Sequence, residues 1–217
     1  MPDRALWRHR APLRPEWSLD LLVPEVPEVA DTPTLQTSRL ILRPLARSDA
    51  PDIQRHFNNW NIISHLALVV PWPYPDDGAE TFVKLQLEKI AAGEEIYQWV
   101  LALRSGDGGA IGNIHFRPRA DSAKGNRGFW LAEPYWNQGL MTEAITAVND
   151  FAFNTLGIES FYVCNAATNV ASRRVKEKTG AEFVGVIELG HHDGQTKSEK
   201  WRVTRENWLC RRTAVSG

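Results

Sequence analysis

Cysteine is scarce in this chain, with only Cys164 and Cys210 among 217 residues. Two cysteines cannot form the disulfide framework of a small secreted domain or a cysteine-based zinc site, so a reducing, cytoplasmic compartment is expected. An excess of one charge is also lacking, because 25 Lys and Arg balance 26 Asp and Glu. Without a strong basic excess, nucleic acid is not expected as a partner.

Long hydrophobic runs are missing too. The longest uncharged stretch, residues 57–75, contains three prolines and several asparagines, which a lipid-exposed helix does not tolerate. The N-terminal residues lack the apolar core of a signal peptide. Neither membrane insertion nor secretion is expected, and the 43% apolar content is typical of a globular domain with a buried core.

Several common catalytic signatures are absent from the sequence. It contains no GxxxxGK[ST] phosphate loop, no GxSxG elbow, no HExxH and no CxxC pair, which excludes the enzyme classes built on them. His191, His192 and Asp193 are possible metal ligands, but adjacent histidines at a hairpin tip do not readily face one ion. No metal site is therefore expected.

What is present divides the chain into two parts. Residues 1–34 hold six of the 13 prolines and no glycine, which predicts an extended arm or linker. The alternative is a functional arm that holds a homodimer together through Trp7 and Trp17. Residues 35–217 are expected to form one domain.

Strand and helix signals alternate from residue 35 onward. Alternating or short apolar runs predict strands, and periodic apolar positions that stop at glycine predict helices. The predicted strands are 39–43, 97–103, 110–116, 128–131, 161–166, 183–189 and 200–204, and the predicted helices lie within 48–57, 76–93, 141–157 and 170–179. Consecutive hairpins with one strand–helix–strand crossover indicate a mixed, three-layer α/β domain.

The segment GFWLAEPYWNQGLMTEA, residues 128–144, predicts a strand, a polar loop and an amphipathic helix. At the helix start, the N–H groups of about Gln138 to Thr142 lack intrahelical acceptors and carry the positive end of the helix dipole. Gly139 allows a ligand to approach the main chain. The segment is therefore either a pyrophosphate cradle that needs no lysine or an ordinary strand–helix turn.

The segment NAATNVASRRVKEKTGAEFVG, residues 165–185, leads from a strand into a helix. Without further context, Asn169 is a helix N-cap and Ser172 a residue on the helix surface.

These two segments and two others, in the same order, resemble the GCN5-related N-acetyltransferase (GNAT) family. The nearest resemblance is to its RimJ/RimL branch of ribosomal-protein N-terminal acetyltransferases. The matching motifs are TSRLILRP at 37–44, PWPYP at 71–75, GFWL at 128–131, WNQGLMTEA at 136–144 and NVASRRVKEKTG at 169–180. The resemblance covers about residues 35–208 and makes 35–217 an acetyltransferase domain.

The resemblance implies a mixed α/β (α+β) fold with a central, mostly antiparallel, twisted sheet. Helices cover both faces of this sheet, which splays between its fourth and fifth strands. The resemblance also implies acetyl-CoA as donor, with loop amides on the pyrophosphate, Asn169 on the pantetheine and Ser172 near the thioester sulfur. The implied cofactor-binding residues are Leu131, Asn137, Gln138, Gly139, Leu140, Met141, Thr142 and Asn169. The basic residues Arg173, Arg174, Lys176 and Lys178 are either ligands of the 3′-phosphate or a solvated helix face.

Two departures from the family pattern concern proton transfer. Many members carry a tyrosine general acid where this chain has Lys176, so Ser172 is the candidate acid that matches a motif. The carboxylate common before the fourth strand is replaced by Asn126-Arg127-Gly128. His115 is therefore the first candidate for the general base, because it lies on a neighbouring strand and imidazole titrates near neutral pH. Glu133 is the second.

The predicted function is N-acetyl transfer from acetyl-CoA to a primary amine by direct attack in a ternary complex. The acceptor is a protein N-terminal α-amine or a small amine, and Trp72 and Tyr74 are expected to line its entrance unless they form a packed lid. The alternatives are a polyamine, antibiotic or amino-acid acetyltransferase, and a non-catalytic acyl-CoA-binding module.

Overall fold

One mixed sheet of eight strands organises the chain. The computed structural model describes residues 31–118 and 125–215, so Trp7, Trp17 and most of the predicted arm lie outside the described residues. The strands are β1 (Leu35–Gln36), β2 (Leu40–Pro44), β3 (Tyr97–Leu103), β4 (Gly112–Phe116), β5 (Arg127–Leu131), β6 (Ser160–Ala166), β7 (Glu182–Glu188) and β8 (Lys197–Thr204). Their spatial order is β1-β2-β3-β4-β5-β6-β8-β7, and only β5 and β6 pair in parallel.

Helices lie on both faces of this sheet, as predicted. They are α1 (Ala50–Phe57), α2 (Trp60–Ile63), α3 (Gly78–Ala91), α4 (Leu140–Asp150), α5 (Val170–Lys178) and α6 (Arg205–Val215). Strand β3 shows the two-sided packing, because Trp99 and Leu101 pack with α4 on one face while Val100 packs with α1 and α3 on the other. Burial on both faces explains why YQWVLAL is apolar at every position except Gln98, whose side chain donates to Asn113 Oδ1.

Helix α4 fills the larger core with the apolar face that the sequence predicts. Met141, Ile145 and Val148 lie on that face and are at most 7% exposed. A π-helical segment, Phe151–Thr155, continues α4 and ends before Gly157, whose φ of +67° suits glycine. The ordered core therefore holds the start of α4 against the sheet.

Strands β5 and β6 separate soon after they meet. Their only described register pair is Arg127 with Val163. Next to it, Asn126 N–H donates to the Tyr162 carbonyl (2.7 Å), and Tyr162 N–H donates to Asn126 Oδ1 (2.9 Å). The fourth and fifth predicted strands are β5 and β6, so the predicted splay is confirmed.

The predicted strands and the four long predicted helices are all present with small shifts at their ends. Helix α3 starts at Gly78, directly after its N-cap residue Asp77. Strand β1, helix α2 and helix α6 had no sequence prediction. In the two described ranges, no helix combines the length and apolar character needed to cross a membrane.

Candidate active site

A cavity of about 620 Å³ lies where β5 and β6 diverge. Its wall comes from four parts of the chain: α2 with the turn after it, β5, the loop into α4, and the start of α5. The lining residues are Trp60, Asn61, Ile62, Ser64, His65, Leu66, Phe129, Trp130, Leu131, Tyr135, Trp136, Asn137, Gly139, Leu140, Met141, Thr142, Thr168, Asn169, Val170, Ala171, Ser172, Arg174, Val175 and Lys178. The two segments singled out in the sequence therefore face one cavity.

The loop into α4 presents unpaired main-chain donors to the cavity. Asn137 and Gly139 have φ values of +59° and +76°, which turn the backbone sharply before the helix. Among the described residues, the N–H groups of 137–142 have no hydrogen-bond acceptor. Successive free N–H groups at a helix N-terminus form an anion-binding site, so this loop suits a phosphate group. We call residues 137–142 the cradle.

Glu143, next to the cradle, is hydrogen-bonded to the segment directly before strand β2. Its carboxylate accepts hydrogen bonds from Thr37 Oγ1 (2.5 Å), Ser38 Oγ (3.0 Å), Arg39 N (2.8 Å) and Arg39 Nε (2.6 Å). Burial alone raises the pKa of Glu143, but these hydrogen bonds outweigh it and lower the pKa to about 2. Arg39 also donates to the Gln138 carbonyl (2.9 Å), which brings a cation beside the cradle. The TSRL and TEA motifs thus belong to one network.

Replacing Glu143 with glutamine should destabilise the fold more at neutral pH than in acid. Because the folded pKa lies below the unfolded value, the stabilisation is complete above about pH 5 and is lost as pH falls towards 2. After discounting for solvent screening, we expect a loss of about 1–2 kcal/mol at pH 7. Urea unfolding at pH 7 and pH 3 measures it. Glu80→Gln, at the exposed first turn of α3, is the control. The account is contradicted if both variants lose the same free energy of unfolding, or if Glu143→Gln loses the same amount at both pH values.

Asn169 and Ser172 lie together at the start of α5. Asn169 caps the helix, because its Oδ1 accepts from Ser172 N–H (2.9 Å). The Asn169 Nδ2 group has no protein partner in the described ranges and lies on the cavity wall. Ser172 is 8% exposed and turns its side chain to the cavity and to Lys176. The default expectation of an N-cap therefore holds for Asn169, while Ser172 is not a surface residue.

Lys176 is buried one turn further along α5. It is 1% exposed, and its Nζ donates to Ser172 Oγ (2.8 Å) and lies 5.7 Å from the centre of the Phe129 ring. Burial, and to a smaller extent Arg127, lower the pKa of Lys176 to about 7, against smaller opposing effects of Cys164 and Glu199. The 3′-phosphate expectation for Lys176 is wrong, because its amine points into the protein.

The other basic residues of α5 differ in their surroundings. Arg173 pairs with Glu199 (2.5 Å) and donates to the Ala167 carbonyl, so it is not available to a ligand. Arg174 and Lys178 both line the cavity. Of the four basic residues considered, these two can meet an anionic ligand.

His65 and Asp193 form a pair at the opposite wall. His65 lines the cavity, and its Nδ1 lies 3.5 Å from Asp193 Oδ2. Asp193 is fixed by Thr168 Oγ1, which donates to its carboxylate (2.7 Å), and by its own N–H, which donates to the Ser64 carbonyl (2.9 Å). Burial raises the pKa of Asp193, but the hydrogen bond from Thr168 and the nearby His65 outweigh it and lower the pKa. A histidine that lies on the cavity wall beside a carboxylate can accept a proton from a bound amine.

The model of the GNAT acetyltransferase domain matches residues 39–182, more than half of the chain. The chain belongs to the GNAT acetyltransferase family. Among curated proteins, an uncharacterised N-acetyltransferase, YoaA of Bacillus subtilis (strain 168), is 27% identical over 158 residues, which is 71% of this chain and 86% of that protein. The prediction of an acyltransferase is therefore confirmed.

Solved structures share the GNAT fold. Mycobacterium smegmatis RimJ, in complex with CoA-disulfide, has a TM-score of 0.68 at 17% identity and covers 82% of this chain and 89% of its own. An acetyltransferase from T. thermophilus has a TM-score of 0.68 at 22% identity, with 86% and 97% covered. RimL, a ribosomal L7/L12 α-N-protein acetyltransferase in complex with CoA, has a TM-score of 0.65 at 16% identity, with 79% and 98% covered. RimJ/RimL-type proteins are thus among the structural neighbours, as the motifs predicted.

Two residues predicted for this GNAT site lie elsewhere. His115 is on β4 against Gly128 and is not among the residues that line the cavity; burial, then Arg117 and Arg127, lower its pKa to about 4. Tyr74 is 8% exposed in the core beside Phe57, and burial raises its pKa to about 12. The structure corrects both expectations: His115 does not face the cavity, and Tyr74 does not line the entrance.

Three other predicted residues border the cavity without lining it. Glu133 accepts from the Nδ2 groups of Asn59 (2.6 Å) and Asn61 (3.0 Å), so it holds the turn into α2. Gln138 donates from its side chain to the Pro134 carbonyl, and only its main chain belongs to the cradle. Trp72 is 40% exposed and packs on Trp60, which does line the cavity, with ring centres 5.1 Å apart. We call Trp60 and Trp72 the aromatic rim.

Proposed function

We propose that this GNAT enzyme transfers an acetyl group from acetyl-CoA to a primary amine of a peptide or protein N-terminus. The observation that carries the proposal is the single cavity onto which the unpaired amides of the cradle, Asn169 and Ser172 all open. This cavity places the anion-binding cradle beside the polar start of α5, at the point where β5 and β6 separate. Relatives of RimJ and RimL type, solved with CoA, support the choice of donor.

The residues present fit a CoA thioester. The cradle amides would hold the diphosphate, with Arg39 contributing positive charge from outside. The Leu131 main chain at the end of β5 would pair with the pantetheine through its N–H, since its carbonyl already accepts from Trp136 Nε1 (2.7 Å), and Asn169 Nδ2 would donate to it. When bound, acetyl-CoA supplies an activated acetyl group, and Ser172 stands where a hydroxyl can donate to the departing sulfur.

His65 is the proposed base for the amine. An α-amine must lose its proton before it can attack a carbonyl, and a histidine on the cavity wall can accept that proton directly or through water. The Asp193 carboxylate lies beside the ring, with its Oδ2 3.5 Å from His65 Nδ1. His65 replaces His115 in this role.

The aromatic rim favours an acceptor with an apolar body. Trp60 and Trp72 are about 40% exposed, and Leu68 and Val69 nearby in sequence are 61% and 88% exposed. The nearby carboxylates of Glu133 and Asp193 are not among the residues that line the cavity, and they already accept hydrogen bonds from Asn59, Asn61 and Thr168. A peptide beginning with apolar residues matches these surfaces better than a polycation.

A thiol-release assay with acetyl-CoA tests the proposal. We expect turnover on short peptides that have a free α-amine and apolar first residues, none on the same peptides N-terminally blocked, and little on spermidine. Faster turnover on spermidine would contradict the peptide acceptor. CoA binding without turnover on any amine would indicate a non-catalytic acyl-CoA-binding module and would contradict the proposal.

Arg174 and Lys178 are proposed to meet the 3′-phosphate of CoA, since both line the cavity and neither forms an ion pair within the described ranges. The double variant Arg174→Ala/Lys178→Ala should bind CoA about tenfold more weakly, because each charge-assisted contact to phosphate contributes about 1 kcal/mol or more. Calorimetry with CoA and with 3′-dephospho-CoA measures it. An equal loss for both ligands would place the phosphate elsewhere.

A further inference from the structure

Lys176 is a buried amine that has a hydroxyl and no carboxylate as its hydrogen-bond partner among the described residues. Its Nζ donates to Ser172 Oγ (2.8 Å), and the side chain is 1% exposed. Burial of an unpaired ammonium is costly, so a lysine here needs a compensating role or a readily lost proton. Nothing in the fold requires an amine at this point, since the surrounding wall includes the apolar Phe129 and Val175.

The nearby charged groups leave Lys176 without a partner of its own. From β8, Glu199 already pairs with Arg173 (2.5 Å) and accepts from Asn165 (3.0 Å). From β5, Arg127 adds a second buried cation. Its Nη1 donates to Asn149 Oδ1, and its Nε and Nη2 have no hydrogen-bond partner among the described residues. From β6, Cys164 is a free thiol. Among the described residues, Ser172 is therefore the hydrogen-bond partner of the Lys176 ammonium, and burial makes that ammonium easy to deprotonate.

We infer that Lys176 acts through Ser172 as a positioning and proton-supplying residue for the departing thiolate of CoA. The Lys176 ammonium occupies the acceptor side of Ser172 Oγ, which leaves the hydroxyl proton directed away from Lys176, towards the cavity. This inference rests on the proposed function.

The bonds and protons of this reaction balance without another reagent. The acceptor nitrogen forms a bond to the acetyl carbonyl carbon, and the carbon–sulfur bond breaks with its electron pair on sulfur. The sulfur takes the Ser172 hydroxyl proton, and the Lys176 ammonium replaces that proton. The proton lost by the amine goes to His65 or water, and Lys176 regains its own from solvent after product release.

The pH dependence follows from the charge of Lys176. Its pKa of about 7 means that the ammonium is present below neutral pH and is lost above it. The kcat/KM for acetyl-CoA, which reports the free enzyme, should therefore fall as pH rises through about 7 in the wild-type protein. Burial is the main cause of this pKa, and Arg127 from β5, Cys164 from β6 and Glu199 from β8 make smaller contributions.

Two readouts separate this role from a structural one. The first is the pH profile of turnover: Lys176→Met should lower kcat about 100-fold and remove the descending limb, and Lys176→Arg should not restore kcat, because a guanidinium does not give up its proton. Ser172→Ala should lower kcat by the same factor, and the double variant should lower kcat no further, because the two residues act as a unit. Lys84→Met, on the exposed side of α3, should match wild type. Unchanged kcat in Lys176→Met, or additive losses, would overturn the inference.

The second readout needs no acceptor. The thiol of bound CoA should ionise more readily in wild type than in Lys176→Met, by about tenfold in the thiolate-to-thiol ratio, or one pKa unit. Ultraviolet absorbance of the thiolate in a pH titration of the complex measures it, and an equal ratio in both proteins would overturn the inference. If wild type shows the shift but acetylates no amine, the proposed function fails and the inference stands; if CoA does not bind, both fail.

Discussion

Gly139→Trp is expected to weaken CoA binding on the order of 100-fold, which is about 2.7 kcal/mol. Gly139 is the residue before α4 in the cradle, its φ is +76°, and it lines the cavity. An indole there would occupy the volume in front of the free N–H groups, and an L-residue also strains the left-handed backbone. Isothermal calorimetry with CoA measures the loss.

Gly157→Trp provides a matched control for backbone strain. Gly157 has a similar φ of +67° and lies after the π-helical segment, away from the residues that line the cavity. A side chain at this position would have open space, because no atom lies within 4 Å of where its Cβ would be. This variant should lose a comparable amount of thermal stability and keep its affinity for CoA. If Gly139→Trp binds CoA normally, the diphosphate is not held at the cradle.

His65→Ala is expected to lower kcat by about 100-fold or more, the usual contribution of a general base. The affinity for CoA should stay the same, because His65 faces the acceptor side of the cavity near Trp60. Imidazole added to the assay should restore part of the rate by replacing the missing base. Asp193→Asn should give a smaller loss, since the aspartate orients the ring without touching the amine.

His115→Gln decides between the two histidines. His115 lies against Gly128 on β4, outside the cavity lining, so this variant should keep kcat near the wild-type value. A large loss in His115→Gln together with normal activity in His65→Ala would reverse the assignment. Steady-state rates on the best peptide acceptor measure both variants.

The cradle could be predicted from sequence because its determinants are local. A glycine before an amphipathic helix places free main-chain donors at one point whatever the rest of the fold does. Strand β3 and helix α4 were predictable for a similar reason, since their apolar patterns follow their own periods. The i,i+4 spacing of Ser172 and Lys176 also predicts one helix face. The burial of Lys176 could not be read from that spacing, because it depends on the packing of β5, β6 and β8.

The base could not be predicted, because it depends on contacts between distant segments. His65 lies next to Asp193 because the turn after α2 packs against the β7–β8 hairpin. Two contacts join these segments: a β-bridge between Ala67 and His191, and a hydrogen bond between His192 Nε2 and the Val70 carbonyl. No local pattern marks such a pairing. The prediction for Tyr74 failed for a related reason: a proline-rich segment can turn an aromatic ring outward or inward, and here Gly78 and Phe57 accommodate it in the core.

Amide hydrogen exchange with and without CoA tests the central claim most directly. In the free protein, the N–H groups of residues 137–142 have no acceptor among the described residues, so they should exchange quickly. Saturating CoA should slow the exchange of these amides strongly, while the amides around Gly157 should be unaffected. Tight CoA binding that leaves residues 137–142 unprotected and protects another segment would contradict the account.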